Sequence, residues 1–175
     1  MMPNMLAYPI IVYGALKAGI VVVNVNPLYT QRELEHVLKD SEAKVLVVWE
    51  GVANVVEKSN LANVEKVMIR TVGDLLGFKG KIINFVTRKV KKLVPKFNID
   101  GAIMFNKVLS DNLGKNPVKV DISIGNTAFL QYTGGTTGVS KGAVLSHRNI
   151  LANIIQAFFT IDPKMYDESR NEQRI

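Results

Sequence analysis

Lys44-Val-Leu-Val-Val-Trp49 is a short apolar, β-branched run with polar residues on either side. That pattern reads as a buried strand. Working outward, Ile20-Val-Val-Val-Asn-Val25 reads as an earlier strand, and Asn26-Pro27 breaks it. Between the two runs, Thr30-Gln-Arg-Glu33 has the form of a capping box, in which a hydroxyl and a carboxylate satisfy free backbone N–H groups. Leu34, Val37 and Leu38 follow at helical spacing, with Glu35 and Lys39 as an i,i+4 pair on the outer face. Beyond Trp49, Val52–Lys58 reads as a short helix and Lys66-Val-Met-Ile-Arg70 as a third strand. Upstream, Met5–Ala18 reads as a buried helix, apolar on nearly every side. Strands alternating with helices predict an α/β layer structure with a mostly parallel sheet.

The rhythm changes over 73–116, which reads as an irregular basic insertion. Within it, Ile82–Val94 has helical apolar spacing, with Arg88, Lys91 and Lys92 on the opposite half of the wheel and Pro95 as its end. Regular structure resumes with a strand at Thr127–Tyr132, a Gly/Thr loop, a short strand at Ala143–Leu145 and a helix at Arg148–Ile161, with Ser146 as its N-cap. Asp162–Ile175 is polar.

The chain has 175 residues, enough for one domain or slightly more at about 100–200 residues per domain. Its 47% hydrophobic content is sufficient for a core and excludes a wholly disordered chain. Cysteine is absent, which excludes a disulfide scaffold, a thiolate metal site and a cysteine nucleophile. The most apolar stretch, Met5–Val23, is interrupted by Gly14, Lys17 and Gly19, so neither a membrane span nor a signal peptide is expected. A cytoplasmic location is expected, with peripheral contact at the inner face of the membrane as an option.

The net charge is +7. Between Leu75 and Ile99 lie seven basic residues and no acidic one, so this window alone accounts for the surplus. The basic stretch Lys79–Lys96 therefore has three readings: a solvated helix packed on the domain, a contact with an anionic membrane surface, or a nucleic-acid contact. The charge is local and Phe85 is the one aromatic residue among the basic ones, which disfavours nucleic acid.

The strongest chemical signal is Tyr132-Thr-Gly-Gly-Thr-Thr-Gly-Val-Ser-Lys-Gly142. Glycines let backbone N–H groups turn toward an anion, and threonine hydroxyls add donors. Lys141 supplies a positive charge to phosphates, and a hydroxyl of Thr136 or Thr137 could approach a phosphate-bound Mg²⁺. It is not a Walker A loop, because Lys141 precedes Gly142 and follows Ser140. No G-x-G-x-x-G dinucleotide fingerprint occurs either. His36 reads as a surface histidine and His147 as a structural one, with no metal-ligand spacing between them. Trp49 reads as core.

From Leu130 to Lys141 the string resembles the phosphate-binding signature of the adenylate-forming superfamily, with Ser140 where proline is commonest. Val23-Asn-Val-Asn-Pro-Leu-Tyr-Thr30, Arg32-Glu-Leu-Glu-His36, Phe129-Leu-Gln-Tyr132 and Ser146-His-Arg-Asn149 are similar to the bacterial long-chain fatty-acid–CoA ligases. The resemblance implies acyl-adenylate formation from a fatty acid and ATP, then thioester formation with coenzyme A. It implies that Tyr132, Thr133, Gly134, Gly135, Thr136, Thr137, Gly138, Lys141 and Gly142 hold the ATP phosphates. Lys141 and Thr136 would assist catalysis, and Thr136 or Thr137 would lie near Mg²⁺. It also implies that 1–175 is part of a large N-terminal ATP- and acyl-binding domain. The Tyr-Gly-x-Thr-Glu segment, the ribose-binding Asp and the C-terminal domain with its lysine are not in these residues, so the chain alone is expected to be inactive. Two other readings stay open: a non-catalytic nucleotide-binding or membrane-surface module, and another acyl- or aryl-CoA ligase.

Overall fold

The computed structural model describes residues 1–61, 63–133 and 140–161. It contains two three-stranded sheets flanked by helices.

The first element, α1 (Ala7–Lys17), ends where Gly19 takes φ +70°. The amides of Gly19 and Ile20 bond back to the carbonyls of Leu16 and Ala15. A side chain at Gly19 would also meet Val120 at 2.9 Å, so glycine is required there for both backbone and space. Contrary to the sequence expectation, α1 is largely exposed. Only Ala7 and Val12 are buried, while Leu6, Ile10 and Tyr13 face outward. Apolar periodicity cannot say whether a neighbour covers every side of a helix.

Strand β1 (Val22–Asn24) is followed by the expected break. Asn26 accepts from the Leu28 amide through its side chain (2.9 Å) and from the Tyr29 amide through its carbonyl (3.1 Å). The capping box then starts α2 (Gln31–Ser41): the Glu33 amide donates to Thr30 Oγ1 and the Thr30 amide donates to Glu33 Oε2. Leu34, Val37 and Leu38 form its buried stripe. Glu35 does not pair with Lys39; its Oε1 accepts from Gln31 Nε2 and from the Asn60 amide.

Strand β2 (Val45–Trp49) buries Leu46 and Val48 and leaves Val45 exposed, so it is a one-sided strand. A 3₁₀ turn (Glu50–Val52) leads into α3 (Ala53–Lys58), and β3 (Lys66–Arg70) pairs parallel to β2 from Val45↔Lys66 to Trp49↔Arg70. Leu34, Val37, Leu38, Leu46, Val48, Val56, Val67 and Ile69 belong to one core between α2, α3 and this sheet.

The 73–116 segment holds regular elements. Helix α4 (Gly77–Phe85) continues into a π-helical turn (Val86–Val90), so helical backbone starts before Ile82 and stops short of Pro95. The short β4 (Ile103–Met104) adds a third parallel strand beside β3, and α5 (Phe105–Asn112) follows. Phe78 (75% exposed), Ile82, Phe85 (61%), Val90 and Leu93 face solvent, while Ile83, Val86 and Val94 are half-buried, so only part of the apolar half of the wheel packs on the domain.

A buried polar cluster ties this segment to the core. Arg88 Nε and Nη2 reach Glu50 Oε2 at 2.6 and 2.5 Å. Asp74 accepts from the amide and hydroxyl of Thr71 and lies 3.8 Å from Arg70 Nε. Asn84 donates to Thr71 Oγ1 and accepts from the Gly73 amide.

The first sheet has the order β1-β5-β6. Strand β5 (Thr127–Thr133) runs parallel to β1, and β6 (Lys141–Ser146) returns antiparallel to it. Helix α6 (His147–Ile161) follows directly. Ser146 caps it as expected: Ser146 Oγ accepts from the Asn149 amide, and Asn149 Oδ1 accepts from the Ser146 amide.

Candidate phosphate-binding site

Strand β5 buries Ala128 and Tyr132 and ends at Thr133, and β6 begins at Lys141. The Gly/Thr string is therefore the connection of a β-hairpin, not a strand-to-helix turn. Gly134–Val139 lie outside the described residues, and with them the sequence candidates Gly134, Gly135, Thr136, Thr137 and Gly138. Tyr132, Thr133, Lys141 and Gly142 are described, and the structure brings them together at the hairpin neck. Thr133 is in register with Lys141, and Tyr132 with Gly142. Ser140 Oγ donates to the Thr133 carbonyl at 2.7 Å, closing the neck.

These four residues do different things. The side chains of Thr133 and Lys141 are exposed. Among the described residues, no carboxylate pairs with the Lys141 ammonium, which leaves it available to an anion. Tyr132 is buried, and its hydroxyl donates to Asp40 Oδ2 at 2.5 Å. Burial, then the Asp40 carboxylate, raises the phenol above its ordinary pKa of 10, so it stays a neutral donor. Gly142 makes room for that ring: a Cβ there would lie 3.0–3.3 Å from Tyr132 ring and hydroxyl atoms.

His36 is half-buried rather than a free surface side chain. Its Nε2 lies 2.8 Å from the Ser140 carbonyl oxygen, and its ring stands edge-on to Tyr132 with centroids 6.4 Å apart. Sequence reading missed His36 and Asp40 as neighbours of the loop; their i,i+4 spacing shows only that they share a helix face. His147 opens α6, and its amide donates to the Asn126 carbonyl.

Behind the neck, an open cleft of about 1310 Å³ runs between the two sheets, lined by residues of α1, β1, β2 and β5 that include Tyr132. On its wall, Tyr8 Oη donates to Asn24 Oδ1 (3.1 Å) and Asn24 Nδ2 donates to Gln131 Oε1 (3.3 Å). Among the described residues there is no group of three acidic, histidine or cysteine side chains that could hold a metal ion, and no helix is long and apolar enough to cross a membrane.

The family model for AMP-binding enzymes matches residues 1–172. The chain belongs to the AMP-binding enzyme family. Among AMP-binding enzymes, a long-chain-fatty-acid–CoA ligase of Haemophilus influenzae is 49% identical over 177 residues, covering all of this chain and 32% of the relative. A protein of the same name from Yersinia pestis is 50% identical over 159 residues, covering 90% of this chain and 28% of the relative. The chain thus spans about a third of the length of the curated relatives it matches. Acetoacetyl-CoA synthetase from Streptomyces lividans has the same fold over 90% of this chain and 23% of its own, with a TM-score of 0.68 at 17% identity.

Proposed function

We propose that this chain carries the ATP-phosphate site of a long-chain fatty-acid–CoA ligase. The observation that carries the reading is the hairpin neck, where Lys141 returns in register with Thr133 on either side of the Gly/Thr loop. A loop of this composition offers backbone N–H groups and hydroxyls to phosphate oxygens, and Lys141 offers a charge. The relatives named as long-chain-fatty-acid–CoA ligases support the substrate class.

In this reading a fatty-acid carboxylate oxygen attacks the α-phosphorus of ATP. The bond to the bridging oxygen breaks and pyrophosphate leaves. The coenzyme A thiolate then attacks the acyl carbon, and AMP departs. Residues 133–138 and Lys141 hold the β- and γ-phosphates, where charge builds on the leaving pyrophosphate. The hydroxyl of Thr136 or Thr137 would serve as a protein oxygen for a phosphate-bound Mg²⁺. When bound, it neutralises phosphate charge.

The test is mass-spectrometric detection of acyl-CoA and AMP made by the full-length gene product from ATP, CoA and a fatty acid. Products that need all three are expected. An enzyme that makes no acyl-CoA from any fatty acid would count against the reading. The 175 residues by themselves are expected to make none, because the segments that the family resemblance calls for at the adenine, the ribose and the acyl chain are not among them. Acyl-CoA from the purified chain would contradict that expectation.

The exposure of Phe78, Ile82 and Phe85 beside the exposed Lys79 and Lys81 supports a membrane-surface reading of this segment. We propose contact with an anionic lipid surface. Co-sedimentation with phosphatidylserine vesicles is expected to fall steeply as salt rises. Equal, salt-independent binding to neutral vesicles would rule it out.

A further inference from the structure

We propose that α2 clamps the phosphate loop by both ends, with His36 and Asp40 as its positioning residues. The inference rests on the reading of 133–141 as the phosphate site.

The two side chains lie one turn apart on one face of α2, and each holds a different end of the loop. Asp40 accepts the Tyr132 hydroxyl at 2.5 Å, one residue before Thr133. His36 reaches the Ser140 carbonyl at 2.8 Å, one residue before Lys141. A carbonyl oxygen only accepts, so Nε2 carries the hydrogen in this bond. The edge-on contact between the His36 and Tyr132 rings links the two grips, and the Ser140–Thr133 bond joins the two ends directly.

The helix that carries the clamp is itself fixed. Its N-terminus is closed by the Thr30–Glu33 box, and Leu34, Val37 and Leu38 anchor its opposite side in the core. A glycine-rich loop has little stiffness of its own. With Tyr132 and Ser140 both held, the neck keeps Thr133 and Lys141 in register, so less ordering of these two residues is left to binding. Neither His36 nor Asp40 touches substrate in this account.

The clamp can be read with and without catalysis. In the full-length gene product, His36→Ala and Asp40→Ala are each expected to lower kcat/KM for ATP about tenfold, since small misplacements in a site cost one to two orders of magnitude. KM for the fatty acid stays within twofold. His36→Gln and Asp40→Asn keep a donor and an acceptor in place and recover most of the loss. Hydrogen–deuterium exchange of 133–141 is expected to quicken at least fivefold in both alanine variants, with the core amides of β2 and β3 unchanged. Lys141→Ala serves as the reference. If it impairs ATP use while His36→Ala and Asp40→Ala leave kcat/KM within twofold or leave the exchange unchanged, the clamp is wrong and the loop reading survives. If Lys141→Ala leaves ATP use intact, the loop reading fails and takes the positioning role with it.

Discussion

Lys141→Ala is expected to slow ATP–pyrophosphate exchange by the full-length gene product about 10²–10³-fold, the usual effect of deleting one electrostatic contact to charge that builds in a transition state. The side chain is exposed and pairs with no carboxylate among the described residues, so its removal costs little stability. The melting temperature should therefore hold while the rate falls. Lys141→Arg keeps the charge but spreads it over a planar fork, so recovery should be partial. Thr136→Ala should slow the same step without altering folding. Exchange unchanged in both alanine variants would remove the role assigned to the loop.

Arg88→Ala carries the largest stability effect. Glu50 is fully buried, whereas Arg88 is 41% exposed, so the variant leaves a buried carboxylate without its hydrogen-bonded cation, with Arg70 as a more remote charge. Breaking a fully buried pair costs about 3–5 kcal/mol; with one partner partly solvated, about 2 kcal/mol is expected at pH 7. Burial raises the Glu50 carboxyl above its ordinary 4.5, and the Arg88 bonds pull it back. Without Arg88 the folded-state value rises further. A carboxyl with a raised folded-state pKa favours folding when protonated, and that advantage is lost as pH rises through the folded value. The gap between variant and parent should therefore narrow as the pH is lowered from 7 toward 5. Urea melts at the two pH values measure it. A gap that widens toward pH 5 would mean that Glu50 is not the stranded group. Glu50→Gln combined with Arg88→Ala should recover part of the loss at pH 7.

Local features of the fold were legible in the sequence. The Thr30–Glu33 box, the Leu34/Val37/Leu38 stripe, the Lys66–Arg70 strand and the Ser146 cap all depend on residues within four positions of one another, and each stands where the spacing put it. Long-range features were not legible. His36 meets Ser140 across 104 positions, Asp40 meets Tyr132 across 92, and Glu50 meets Arg88 across 38. No local pattern encodes such pairs. The exposure of α1 and α4 was hidden for the same reason: a moment shows which side of a helix is apolar, not whether anything covers it. The composition of the phosphate loop and the strands on either side of it were legible, but the antiparallel register of β5 with β6 was not. Gly142 was read as a phosphate contact, and the sequence alone could not reveal that a Tyr132 ring needs the space above it.

The most direct test of the central claim is ATP–pyrophosphate exchange by the full-length gene product, measured without coenzyme A against acids from butyrate to oleate. Exchange reports the adenylate step alone, at the phosphates that Lys141 and the loop are proposed to hold. The account predicts no exchange without an acid and strong exchange with long-chain fatty acids. Exchange that ignores fatty acids, or that only aryl acids support, would contradict it.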